Sequence, residues 1–130
     1  MQPQPQVTNG IQVSVQSAYN TKFSKPELDK YIFSYHVTIK NVGTETMQLL
    51  RRHWMIQDSL GPMREVEGEG VIGEQPILKP GEQFDYNSWT DMATTIGRMY
   101  GFYTFRKMNS NTLIQVRIPE FQLVTPFKSN

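Results

Sequence analysis

From residue 31 to 39 the chain alternates without a break. Tyr31, Phe33, Tyr35, Val37 and Ile39 are interleaved with Ile32, Ser34, His36 and Thr38. Successive side chains of an extended strand point to opposite faces, so the run is predicted as a strand with one apolar and one mostly polar face. A strand of that kind belongs to an antiparallel sheet lying on a core. The same period recurs where Ile11, Val13 and Val15 alternate with Gln12, Ser14 and Gln16, and where Phe84 and Tyr86 alternate with Gln83, Asp85 and Asn87. Residues 48–58 read as one long strand, with Leu50, Trp54 and Ile56 inward and Leu49, Arg51, His53 and Met55 outward. Residues 100–106 and 113–118 flank Asn109-Ser110-Asn111, a hairpin turn, and Phe121, Leu123 and Phe127 extend the last strand.

Turn residues separate these runs at short spacing: Asn9-Gly10, Lys25-Pro26, Asn41-Val42-Gly43, Gly61-Pro62 and Lys79-Pro80-Gly81. No window of ten residues carries a helical stripe. Residues 91–98 offer at most a single helical turn, capped by Asp91. Seven or eight short antiparallel strands without helices predict an all-β sandwich, immunoglobulin-like or fibronectin type III-like. The chain of 130 residues fits one domain with a core of useful size. Gln and Pro alternate near the start, so residues 1–8 are expected to form a flexible tail and residues 9–130 the domain.

Composition removes several function classes. Absence of cysteine excludes disulfides, thiolate catalysis and thiolate metal sites. No apolar run reaches the ~20 residues of a membrane span, and no signal-peptide pattern opens the chain. A cytoplasmic location without membrane insertion is expected. Thirteen Lys and Arg against twelve Asp and Glu leave no basic footprint for nucleic acid.

One motif pulls against the all-β reading. Gly68-Glu69-Gly70-Val71-Ile72-Gly73 spells GxGxxG, the phosphate-cradling turn of dinucleotide-binding folds. That turn must open a helix, and Pro76, Pro80 and Gly81 forbid one. The glycines are therefore expected in a shaped turn on a β scaffold. An anion nest is the other reading, with Arg51, Arg52, Arg64 and Lys79 close in sequence or on a neighbouring strand. Glu65, Glu67, Glu69 and Glu74 oppose an anion there unless a cation intervenes. Of these, Glu67 and Glu69 are the weak candidates for a magnesium or cobalt site. His53 and His36 fall on separate strands, so a paired-histidine metal site is not expected. No nucleophile–base spacing and no GxSxG elbow is present, so no catalytic constellation is assigned. Trp54 is expected in the core. Trp89 is expected at a strand end, where with Tyr100, Phe102 and Met92 it would form an apolar patch.

Several motifs together resemble the ApaG family: Arg52-His53-Trp54, the Gly68–Pro76 segment, Pro80-Gly81-Glu82, Phe84-Asp85-Tyr86, Gly97-Arg98-Met99-Tyr100-Gly101-Phe102-Tyr103 and Ile118-Pro119-Glu120-Phe121. The resemblance runs from about Val7 onward. It departs at Arg51, where a small residue is expected, and at Asn87-Ser88-Trp89, where Thr-Ser-Gly is more usual. It implies a small bacterial protein with a fibronectin III-like sandwich, associated with cobalt resistance and magnesium efflux. It also implies likeness to domains of F-box proteins and of a DNA-polymerase-delta-interacting protein, which mediate protein contacts. The expected function is a non-enzymatic protein-binding module without a cofactor. Its surface is expected to centre on Arg52, His53, Gly68, Glu69, Gly70 and Gly73, with Trp89 at the rim. The alternatives are Mg²⁺-dependent binding or hydrolysis of a nucleotide polyphosphate at the glycine loop, and a direct Co²⁺ or Mg²⁺ sensor. Edge pairing through residues 11–15 or 113–118 would give a homodimer.

Overall fold

A computed structural model describes residues 2–59 and 61–126. Nine strands lie in chain order: β1 Gln6–Thr8, β2 Ile11–Tyr19, β3 Tyr31–Asn41, β4 Met47–Asp58, β5 Arg64–Glu69, β6 Ile77–Leu78, β7 Gln83–Met92, β8 Ile96–Lys107 and β9 Leu113–Val124. They form a sheet of order β1-β2-β3-β7 and a five-stranded sheet of order β5-β4-β8-β9, with β6 beside β4. Every pairing is antiparallel. The chain is therefore the expected all-β sandwich of the immunoglobulin and fibronectin type III kind.

The alternating faces meet between the sheets. Val13, Val15, Phe33, Val37 and Ile39 from one sheet pack against Leu49, Trp54, Phe105, Phe121 and Leu123 from the other. Trp54 sits edge-on to Tyr35 at 5.5 Å and to Phe121 at 6.0 Å. Tyr86 and Tyr103 join their hydroxyls across the core, one from each sheet, which satisfies both buried groups.

Several expectations are corrected. In β4 it is Leu49 that is buried, while Leu50 is only half-buried. A β-bulge between Leu49 and Arg51 inserts one residue and shifts the phase, so Met47 and Leu49 point inward before it and Trp54 and Ile56 after it. Gln6–Thr8, placed in the tail by the Gln/Pro alternation, instead forms β1 against Thr8↔Ile11 and Gln6↔Val13 partners. Its backbone groups are satisfied by β2 although its side chains bury little. Residues 91–98 form no helical turn: Asp91 and Met92 end β7 and Ile96 opens β8. The helix among the described residues is a 3-10 turn, Pro26–Leu28. β1 covers Ile11–Val13, so most of the predicted edge at residues 11–15 is already paired. Phe127 lies outside the described residues.

The two lateral sides of the sandwich differ. On one side β1 packs against β9, held by Asn9 Nδ2 donating to the Gln115 carbonyl at 2.9 Å and the Arg117 amide donating to Thr8 Oγ1 at 3.3 Å. On the other side, Arg64 links the edge strands β5 and β7, its Nη1 pairing with Asp91 Oδ1 at 3.4 Å and its Nη2 donating to the Asp91 carbonyl.

Candidate binding site

The bulge in β4 decides where the Arg-His-Trp motif points. With Trp54 inward, Arg52 shares its face and His53 takes the opposite one. Arg52 therefore enters the gap between β5 and β7. His53 stands on the outer face of the five-stranded sheet, so the two adjacent residues serve different surfaces.

The glycine motif is built around Arg52. Gly68 lies opposite Arg52 in the β4–β5 ladder, and a Cβ there would lie 3.0 Å from the guanidinium. Arg52 Nη1 donates to the carbonyls of Glu69 at 3.1 Å and Gly70 at 3.0 Å. Gly70 has φ +64°, and a Cβ on it would overlap the Glu74 carbonyl oxygen. Val71 and Glu74 then exchange both backbone hydrogen bonds at 2.9 Å around Ile72 and Gly73, whose φ values are 44° and 80°. Two positive φ angles in a two-residue loop are the type I′ hairpin, which glycine at the second position favours.

This geometry weighs against an anion nest. The Gly70 amide donates to the Leu50 carbonyl at 2.7 Å, and the Val71 and Glu74 amides are spent on each other. The motif turns carbonyl oxygens toward a cation, Arg52, instead of amides toward a phosphate. Among the described residues, Arg52 forms no ion pair.

Arg52 lies in a cleft of about 360 Å³ between the free edges, with Tyr35, Trp54, Tyr86, Ser88 and Trp89 in its walls. Burial pushes the Tyr35 hydroxyl's pKa up, opposed by its hydrogen bond with Ser88 and by the Arg52 charge. Burial likewise raises Tyr86, with a smaller lowering from its bond to Tyr103. Neutral hydroxyls and Arg52 thus face the cleft, together with Arg64 and Asp91, which pair with each other.

Trp89 is 64% exposed and stands on the outer face of β7, opposite Ser34. It is far from the patch predicted for it. Tyr100 and Phe102 belong to the other sheet and Met92 is buried. On its outer side Trp89 borders a second hollow, about 590 Å³, with Phe23, Ile32, Lys25 and Lys30. The phase of Gln83, Asp85 and Asn87 already placed Trp89 on a polar face. No periodicity marks Phe23 or the lysines, which lie in the β2–β3 connection, so they were missed.

On the outer face of the larger sheet, His53 stacks on Phe102 at 4.8 Å and 9°. Its Nδ1 meets Glu67 Oε2 at 3.1 Å and its Nε2 meets Glu65 Oε2 at 3.3 Å. These carboxylates flank opposite edges of the ring, so they do not converge on one point. Among the described residues no group of three His, Asp or Glu side chains is arranged around a common ion. Glu69 pairs with Arg51 in the ladder on this same face. His36, on the other sheet, bonds Asn87 at 2.9 Å and Asp85 at 3.3 Å.

The fold defines a small all-β sandwich, and comparison with known proteins narrows the class to a family. The ApaG domain model matches residues 21–107. Protein ApaG of Rhodospirillum centenum is 45% identical over 121 residues, 93% of this chain and 92% of that protein. Protein ApaG of Brucella anthropi is 46% identical over 120 residues, 92% of each. A crystal structure of a Bordetella pertussis protein given the name ApaA superposes with a TM-score of 0.85 at 38% identity, covering 98% of both chains. The chain belongs to the ApaG family.

Proposed function

We propose that this chain is a non-enzymatic binding module that takes a protein partner at the open side of the sandwich. One observation carries the reading: a half-buried guanidinium, Arg52, without a carboxylate partner among the described residues, stands in a cleft between two free strand edges. A charge held that way favours an anionic group supplied from outside. Gly68, Gly70 and Gly73 shape the turn that fixes Arg52, and Trp89 forms the rim. His53 and the Glu67 and Glu69 side chains belong to a separate outer face and are not part of this mouth.

Two features support a non-enzymatic role. The ring nitrogens of both histidines contact carboxylates or an amide, and neither is bonded to a hydroxyl among the described residues. A general base needs its nucleophile within reach. The link to cobalt resistance and magnesium efflux implied by family resemblance is then indirect, acting through the partner.

The test compares two measurements. Amide NMR spectra of the full chain are recorded with Mg²⁺, Co²⁺ and ATP, and partners are captured with wild-type and Arg52→Ala protein. The module reading expects no saturable shifts at residues 68–73 and partner recovery that falls with Arg52→Ala. Saturable shifts there with a metal or ATP would instead support the sensor or polyphosphate reading.

A further inference from the structure

The closed side of the sandwich shows what the open side lacks. There β1 extends the four-stranded sheet and packs on β9 of the other sheet. At the opposite end of the same sheet β7 is the last strand, and no described strand pairs with its outer edge. Arg64 crosses to cap the Asp91 carbonyl at one end of that edge. A strand edge left bare is a template for an added strand.

The two hollows described above flank β7 at the same two residues. Ser88 and Trp89 border both the inner cleft and the outer hollow. An added strand sends alternate side chains to opposite faces. One side chain would therefore enter the cleft toward Arg52, and its neighbours would face outward. The inner hollow holds Arg52, which has no carboxylate partner among the described residues, and Arg64, whose charge is already matched by Asp91. The outer one holds Trp89, Phe23 at 60% exposure and Ile32, with Lys25 and Lys30 at its border.

We propose that β7 accepts an extended peptide segment of another protein, in which Asp or Glu stands between two bulky apolar residues. The segment adds to the sheet along residues 87–90. Its carboxylate pairs with Arg52, and the flanking apolar side chains pack on either side of the acidic position against Trp89 and Phe23. The Lys25 and Lys30 charges favour an acidic segment and disfavour a basic one. This rests on the binding-module reading and names the partner's chemistry.

The test selects a random octapeptide display library on the full chain. Enriched peptides are expected to share the apolar–acidic–apolar pattern. A synthetic peptide of that pattern should slow hydrogen exchange at residues 87–90. Replacing its Glu by Gln should weaken binding at least tenfold, as should Trp89→Ala. On Arg52→Met the same Glu-to-Gln change should have little further effect. The peptide exchange on wild-type protein stands even if Arg52→Met unfolds. Lack of enrichment, enrichment of basic or uncharged peptides, or indifference to Glu-to-Gln would overturn the proposal. So would concentration-dependent dimerisation lost in Trp89→Ala, which would assign the edge to a second copy. A partner captured through the His53 face would sink this inference alone; no partner by either route would sink the module reading as well.

Discussion

Ile72 is a β-branched residue at φ 44°, a region that crowds its Cβ. The type I′ turn needs that angle, and Asn accepts it more readily than Ile. Ile72 is exposed, so little packing is lost on replacement. Ile72→Asn is expected to raise stability by about 1 kcal/mol, read from urea unfolding. Asp85 is a second case where one side chain carries a measurable effect. The Thr38 hydroxyl above all holds its carboxyl below the ordinary 3.8; desolvation opposes it as the next-largest effect, and the Gln83 amide and His36 add smaller lowering. A depressed folded pKa gives stability that is complete above the unfolded value and lost as pH falls through the folded one. Wild-type protein should therefore lose more stability between pH 6 and pH 3 than Asp85→Asn. Equal losses in the two denaturant midpoints would refute the assignment.

At the scale of elements, Asn41 does more than end β3. Its fully buried side chain donates to the carbonyls of Glu45 at 2.7 Å and Leu78 at 2.9 Å and accepts from the Gly43 amide at 3.0 Å. Its backbone bonds Gly81 and Glu82. One residue thus ties β3, the β3–β4 turn, β6 and the β6–β7 turn. Asn41→Ala leaves buried carbonyls without donors and should cost about 2–4 kcal/mol, visible as a lowered denaturation midpoint. Strand identity was readable from the sequence in β2, β3 and β7, because a half-buried strand writes its period directly into residue type. β4 was readable only up to its bulge. Leu49 and Leu50 are chemically equal, so nothing local tells which one faces the core. β1 was unreadable because Gln6, Val7 and Thr8 gain their order from backbone pairing and contact with β9.

Across the whole molecule, the core contains hydroxyls that must stay neutral. Burial raises the pKa of Tyr35, Tyr86 and Tyr103, and the Tyr86–Tyr103 bond links the two sheets. A raised folded pKa gives stability that is full below the unfolded value, about 10, and declines as pH rises above it. Phenolate absorbance in an alkaline titration should therefore show these three of the six tyrosines titrating only as the chain unfolds. Tyr103→Phe should leave fewer hidden tyrosines. The sequence alone determined the sandwich class and the rejection of a dinucleotide fold, because period-two alternation and helix-breaking prolines are local properties. It also determined the family, because motif order is preserved along the chain. Tertiary structure decided that Arg52 and His53 part company, that Trp89 stands away from Tyr100 and Phe102, and that only one side of the sandwich is closed. Those facts depend on a bulge, on sheet order and on which edges meet. Such relations join residues far apart in the chain, so no local pattern records them.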